Sequence, residues 1–103
     1  MTNQVWLIGN LVQDVVYKTV RDKGIANFRI AVNDKYNEET LFVNVVAFNK
    51  LAELVNQFLS KGDKVSIVGK LQIRQVEDKY YTEIIANDVE FLTPKGKTPQ
   101  DFM

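Results

Sequence analysis

Residues 41–74 read LFVNVVAFNKLAELVNQFLSKGDKVSIVGKLQIR, and the hydrophobic period changes twice along them. From Leu41 to Phe48 the period is two, as in a strand, with Phe42, Asn44, Val46 and Phe48 on one face and Val43, Val45 and Ala47 on the other. Leu51, Leu54, Val55, Phe58 and Leu59 then recur at helical spacing and form one apolar stripe. Asn49 is placed to cap the start of this helix, and Lys61-Gly62 supplies the basic last turn and the glycine that end one. From Val65 to Arg74 the strand pattern returns. The core of the chain therefore reads strand, helix, strand.

Working toward the N-terminus, Ile25 to Asn33 (IANFRIAVN) sets Phe28, Ile30 and Val32 on one face against Asn27, Arg29 and Asn33 on the other. This half-buried strand pairs as a hairpin with Leu41 to Phe48 across the polar loop DKYNEET, 34–40. Arg21-Asp22-Lys23-Gly24 precedes it as a turn. Gln4 to Val12 (QVWLIGNLV) is a long first strand, bent at Gly9. Both of its alternating sets, Val5/Leu7/Leu11 and Trp6/Ile8/Val12, are apolar, so both faces need cover. One cover is the core, and the other is expected to be a second copy of the chain.

Toward the C-terminus, Tyr80 to Leu92 forms a last strand after the polar link Glu77-Asp78-Lys79. Five strands, with one helix between the third and fourth, predict an all-β OB fold, a five-stranded Greek-key barrel whose strand 2–3 face binds oligonucleotides or oligosaccharides. The expected domain spans residues 1–92. A short flexible tail, TPKGKTPQDFM at 93–103, holds both prolines.

Composition narrows the function. With 103 residues the chain is one domain, and 46% hydrophobic with 25% charged residues is ordinary for a soluble globular protein. It has no cysteine and no histidine, which removes thiolate and imidazole nucleophiles, disulfides and the usual zinc sites. Gly96-Lys97-Thr98 fails as a phosphate-binding loop, because Phe91 stands where the leading glycine is required. The carboxylates Glu38-Glu39, Glu77-Asp78 and Asp88/Glu90 follow no metal-ligand spacing and read as solvated charge. No enzyme, no metal and no cofactor are expected. The N-terminus lacks the pattern of a signal peptide, so a cytoplasmic location is expected, with no membrane partner.

Thirteen basic and thirteen acidic residues cancel. Nucleic-acid binding would then need a local basic face or base stacking, since counterion release favours a basic excess. Phe42 and Phe48, with Tyr36 and Lys35 in the adjoining loop and Lys50 beyond, would make such a platform if they face outward. Periodicity alone allows them equally to be core. Lys70, Gln72, Arg74 and Val76 share one face of the fourth strand and would extend the platform if they lie beside it.

The stretches QVWLIGNLVQDV (4–15), FVNVVAFNKLAELVNQFLSKGDKVSIVGKLQIR (42–74) and YYTEIIANDVEFL (80–92) resemble the bacterial single-stranded DNA-binding protein family, in its order and spacing, from about Asn3 to Leu92. The resemblance implies an OB fold that coats single-stranded DNA without sequence preference in replication, recombination or repair. It implies a homo-oligomer, a tetramer more than a dimer, near the nucleoid. The family's stacking positions match Tyr36, Phe42, Phe48 and Val76, the last a departure that removes a ring. Its basic positions match Lys50, Lys61 and Arg74, while Asn44 replaces a basic residue. The expected subunit interface is Val5, Trp6, Leu7 and Ile8. The family's long linker and acidic tip are not matched by Gln100-Asp101-Phe102-Met103, so recruitment of replication or repair enzymes by that route is not expected. A dimeric primosome accessory and an OB protein-interaction module are the rival readings.

Overall fold

The computed structural model describes residues 1–93 of the chain. It contains β1 (Val5–Leu11), β2 (Val16–Val20), β3 (Lys23–Asn33), β4 (Thr40–Phe48), α1 (Asn49–Phe58), β5 (Lys64–Val76) and β6 (Lys79–Phe91). The expected tail lies outside the described residues from position 94 onward.

The strands are neighbours in the order β1-β5-β6-β4-β3-β2, and a further pairing of β1 with β3 closes the ring. All pairings are antiparallel except β4 with β6, where Asn44, Val45 and Val46 lie beside Glu83, Ile84 and Ile85. The closure turns on seven residues of β1. Val5 to Asn10 run along β5, and Asn10 and Leu11 already pair with Ala31 and Ile30 of β3. Such a corner brings two backbones together at Gly9, where an added Cβ would sit 2.5 Å from the Ala31 carbonyl oxygen. Only glycine fits there without displacing the partner strand.

The inward-facing residues follow the alternation that the sequence shows. Leu11, Phe28, Ile30, Val45, Ala47, Val65, Ile67 and Ile84 fill the barrel, and Ala52 and Val55 of α1, with Leu59 just beyond it, close it. The helix leans, however. Leu54 and Phe58 stay at its rim, where Phe58 meets Phe91 with ring centroids 6.0 Å apart.

Several expectations need correction. The strand count is six, because Val16–Val20 pairs with the first half of β3, register Val16↔Asn27 to Val20↔Lys23. Since β1 and β2 lie along the same edge of β3, they act as two halves of the bent first strand. The turn between β2 and β3 is only Arg21-Asp22, both at positive φ (53° and 68°), as a two-residue I′ hairpin requires. Likewise Glu77-Asp78 alone links β5 to β6, since Val76 pairs with Lys79.

At the helix, Asn49 is not the cap. It is the first helical residue, with φ 57°, and Phe48 occupies the cap position, where its phenyl ring makes no capping hydrogen bond. Asparagine tolerates the left-handed region better than most residues, which suits it to this sharp strand-to-helix junction. Lys61-Gly62 does not end the helix either. The last helical residue is Phe58, and the Leu59 N–H donates to the Val55 carbonyl. The Lys61-Gly62 turn instead anchors the start of β5 to β1, with the Gly62 N–H donating to the Leu11 carbonyl at 2.9 Å.

One irregularity interrupts the longest pairing. Val68 lies opposite Asp88 and Gly69 opposite Ala86, which leaves Asn87 as an extra, unpaired residue of β6. At this bulge β6 presses so closely that a Cβ on Gly69 would collide with the Ile85 carbonyl oxygen. Gly69→Ala is therefore expected to destabilise the fold by about 1–3 kcal/mol through overpacking. A lowered urea midpoint with an unchanged m-value would be the signature.

Candidate nucleic-acid interface

Phe42 and Phe48 are not core. They lie on the outer face of β4, 52% and 42% exposed, while Val43, Val45 and Ala47 turn inward. Register carries this outer face across four strands. Arg29 of β3 lies opposite Asn44, and Ala31 opposite Phe42. Glu83 of β6 lies beside Asn44 on the other side. Gln72 and Arg74 of β5 lie opposite Glu83 and Tyr81. The face of Lys70, Gln72 and Arg74 thus adjoins that of Phe42 and Phe48, as the platform requires.

Two aromatic rings on this surface each carry a guanidinium. Arg29 Cζ stands 5.2 Å from the Phe42 centroid, and Arg74 Cζ 5.4 Å from that of Tyr81. Such pairs hold a planar cation and a planar ring within reach of one another, at about 0.5–1 kcal/mol in exposed sites. Arg74 also approaches Glu83, Nε to Oε1, at 3.5 Å, and Gln72 Nε2 donates to the same Oε1 at 3.2 Å. A cavity of about 140 Å³ opens between Arg29, Asn44, Arg74, Tyr81 and Glu83.

Tyr36 and Lys35 sit in the β3–β4 loop, with Lys35 Nζ 5.9 Å from the exposed Tyr36 ring. Asp34 shapes that loop: its Oδ1 accepts from the Tyr36 N–H at 2.9 Å and the Asn37 N–H at 3.3 Å. Lys50 stands in the first turn of α1, two residues after Phe48, and is exposed. Phe48 also borders an apolar and basic depression with Val20, Arg21, Lys23 and Ile25. Lys61 lies apart from this surface by its backbone ties, its N–H donating to Asp14 Oδ1 at 2.8 Å. Val76 is exposed at the tip of β5 and carries no ring.

Sequence reading missed Arg29, Tyr81 and Glu83 as site residues. The hairpin register Val76↔Lys79 sets Tyr81 opposite Arg74, diagonal to Val76, so a ring absent from one strand is present on its neighbour. Similarly Arg29 faces Asn44 across the hairpin, placing a charge beside the position that lacks one.

The proposed interface divides. Trp6 and Ile8 point outward, Trp6 67% exposed with its indole N–H donating to Ser66 Oγ at 2.7 Å. Val5 and Leu7 instead pack against the core, because strand alternation sends them inward.

A β-barrel of this topology, with half-exposed rings and guanidinium groups on one outer face, defines an OB domain of the oligonucleotide-binding kind. The sequence profile of the single-strand binding protein family matches residues 2–92, and the chain belongs to that family. It is similar to single-stranded DNA-binding protein 1 of Staphylococcus aureus strain Mu50, 38% identical over 114 residues, which cover 98% of this chain and 73% of that one. It is also similar to single-stranded DNA-binding protein 2 of strain COL, at 35% identity over 97% of this chain and 80% of that one.

The loop geometry has a pH signature. The Tyr36 N–H above all holds the Asp34 carboxyl below the ordinary 3.8; desolvation opposes it, and the backbone and side chain of Asn37 add smaller lowering contributions. A depressed carboxylate contributes order that is present above its unfolded value and lost as pH falls through the folded one. The Tyr36 and Asn37 amide resonances are expected to titrate with a midpoint below 3.8, and Asp34→Ala to abolish that titration.

Proposed function

We propose that the chain binds single-stranded DNA by stacking bases on its exposed rings while cationic side chains follow the phosphates. The observation that carries this reading is the pair Phe42 and Phe48, half-exposed on a barrel face with Arg29 set over Phe42. Large rings left in water stabilise no fold, but each base that stacks on one contributes about 1–3 kcal/mol whatever its identity. Tyr36 and Tyr81 extend the row of rings. Lys35, Lys50, Arg29 and Arg74 supply the charge, while Lys61, set apart, would meet the strand only beyond this surface.

The net charge of zero is compatible with this, because alternation puts Lys18, Arg29, Lys70 and Arg74 on the same outer surface, with the carboxylate of Glu83 among them. The reading is a non-enzymatic coat for exposed strands during replication, recombination or repair, in the cytoplasm beside the nucleoid. No helix among the described residues is long and apolar enough to cross a membrane. The OB domain is taken to be residues 1–92.

Coating proteins gain reach by assembly. Trp6 and Ile8 form an apolar outer stripe on β1, suited to a second copy of the chain, and the reading includes a homo-oligomer, a tetramer before a dimer. Trp6→Glu is expected to lower the sedimenting mass of the dilute protein. An unchanged mass would remove β1 from the interface.

Phe42→Ala and Phe48→Ala are each expected to weaken oligothymidine binding by about 1–3 kcal/mol in a fluorescence anisotropy titration. Both should leave thermal stability nearly unchanged, since surface substitutions cost little. Retained affinity, or equal competition by duplex DNA, would sink the stacking reading.

A further inference from the structure

A carboxylate in the middle of a surface that follows phosphates is unexpected, because it repels the polyanion. Glu83 is only 7% exposed and sits in the wall of the 140 Å³ cavity that opens on this surface. The rest of the polar wall includes amides and guanidinium donors: Gln13, Asn27, Arg29, Asn44 and Arg74. Both contacts of the carboxylate, from Gln72 and Arg74, fall on Oε1. Oε2 takes part in neither.

This arrangement suits the edge of a base. A volume of about 140 Å³ is the room of roughly four or five waters at about 30 Å³ each, enough for one heterocycle. Tyr81, under Arg74, also lines the wall and offers a ring face. We propose that this cavity takes one base of the bound strand and favours a base bearing an exocyclic amino group, cytosine in particular, through Glu83. The inference rests on the single-strand-binding reading and adds a base preference to it.

The chemistry is that of acceptor against donor. The cytosine N4 amino group donates to Glu83, as carboxylates are known to accept from that group, while N3 and O2 accept from Asn44, Asn27 or Arg29. Uracil and thymine carry a carbonyl oxygen at position 4. If they turn to donate N3–H instead, both flanking carbonyls are brought against the carboxylate. The like charge of Glu83 equally keeps phosphate out of the cavity, so the backbone passes outside it and the base points in.

The test compares the full chain on short oligo-deoxycytidine and oligo-deoxyuridine, strands that lack the thymine methyl and match in ring size, at mildly alkaline pH by anisotropy. Wild type is expected to favour deoxycytidine by about threefold to tenfold, the range of one net hydrogen bond. Glu83→Gln, whose amide both donates and accepts, should bring that ratio close to one while raising affinity for deoxyuridine. A role for Glu83 confined to positioning Arg74 would weaken both strands alike and overturn the proposal. So would equal wild-type affinities. Should Glu83→Gln not fold, wild type on an oligo-deoxycytidine with N4-dimethylated bases reads the same contact: a fall to the deoxyuridine level supports it, and undiminished binding overturns it. Failure to bind any of these strands would defeat the single-strand reading itself, a result distinct from equal binding to all.

Discussion

The corner at Gly9 and Asn10 is where the barrel either closes or stays an open sheet. Within seven residues β1 has to satisfy β5 along one edge and β3 along the other, and a strand pairing on both sides within so short a length must bend. The bend brings β1 onto the Ala31 carbonyl, a contact that no side chain tolerates. From that closure follow the burial of Leu11 and Ile30, the position of β2 as the continuation of β1 along β3, and the curvature that spreads β3, β4, β6 and β5 into one outer surface. Without it Phe42 and Arg74 would sit on one sheet but not round one groove.

Zero net charge loses its force once the surface is divided by strand register. Charge cancels over the whole chain, yet Arg29 and Arg74 stand over rings of the face that holds Phe42, and acids such as Asp88 and Glu90 lie at the other end of β6, level with Ser66 and Val68 beside Trp6. Local field and ring exposure decide what such a face can hold, and neither is visible in a sum of charges. The two guanidinium–ring pairs add a further property. They keep Arg29 and Arg74 extended over rings, so part of the entropy lost on binding is already lost in the free protein.

Most of the architecture was legible because alternation and helical period are local. Phe28 and Ile30 announced themselves as core, and Leu51 to Leu59 as a helical stripe. β2 escaped because Val16-Tyr17-Lys18-Thr19-Val20 is short and largely exposed, with only Tyr17 half-buried. The exposure of Phe42 and Phe48 was undecidable, since both faces of β4 are apolar and only the barrel says which is inside. Arg29, Tyr81 and Glu83 escaped for a different reason. Their meeting depends on the parallel pairing of β4 with β6, a contact between residues about forty positions apart that nothing in either strand encodes alone. Of the four apolar residues Val5 to Ile8, alternation leaves Trp6 and Ile8 outward and Val5 and Leu7 against the core, a split that apolarity alone does not reveal.

The extra residue at Asn87 sets which way the residues before it in β6 face. Side chains alternate with strict parity, so a strand with Val89 and Phe91 facing in would, uninterrupted, also turn residues 87, 85, 83 and 81 inward. The single inserted residue reverses the phase. Ile84 and Ala86 go to the core, and Glu83 and Tyr81 go out to the groove. One unpaired amino acid thus acts as a frame shift in space: it lets the same short sequence YYTEIIA complete the hydrophobic interior with one set of side chains and furnish the outer face beside Arg74 with the other.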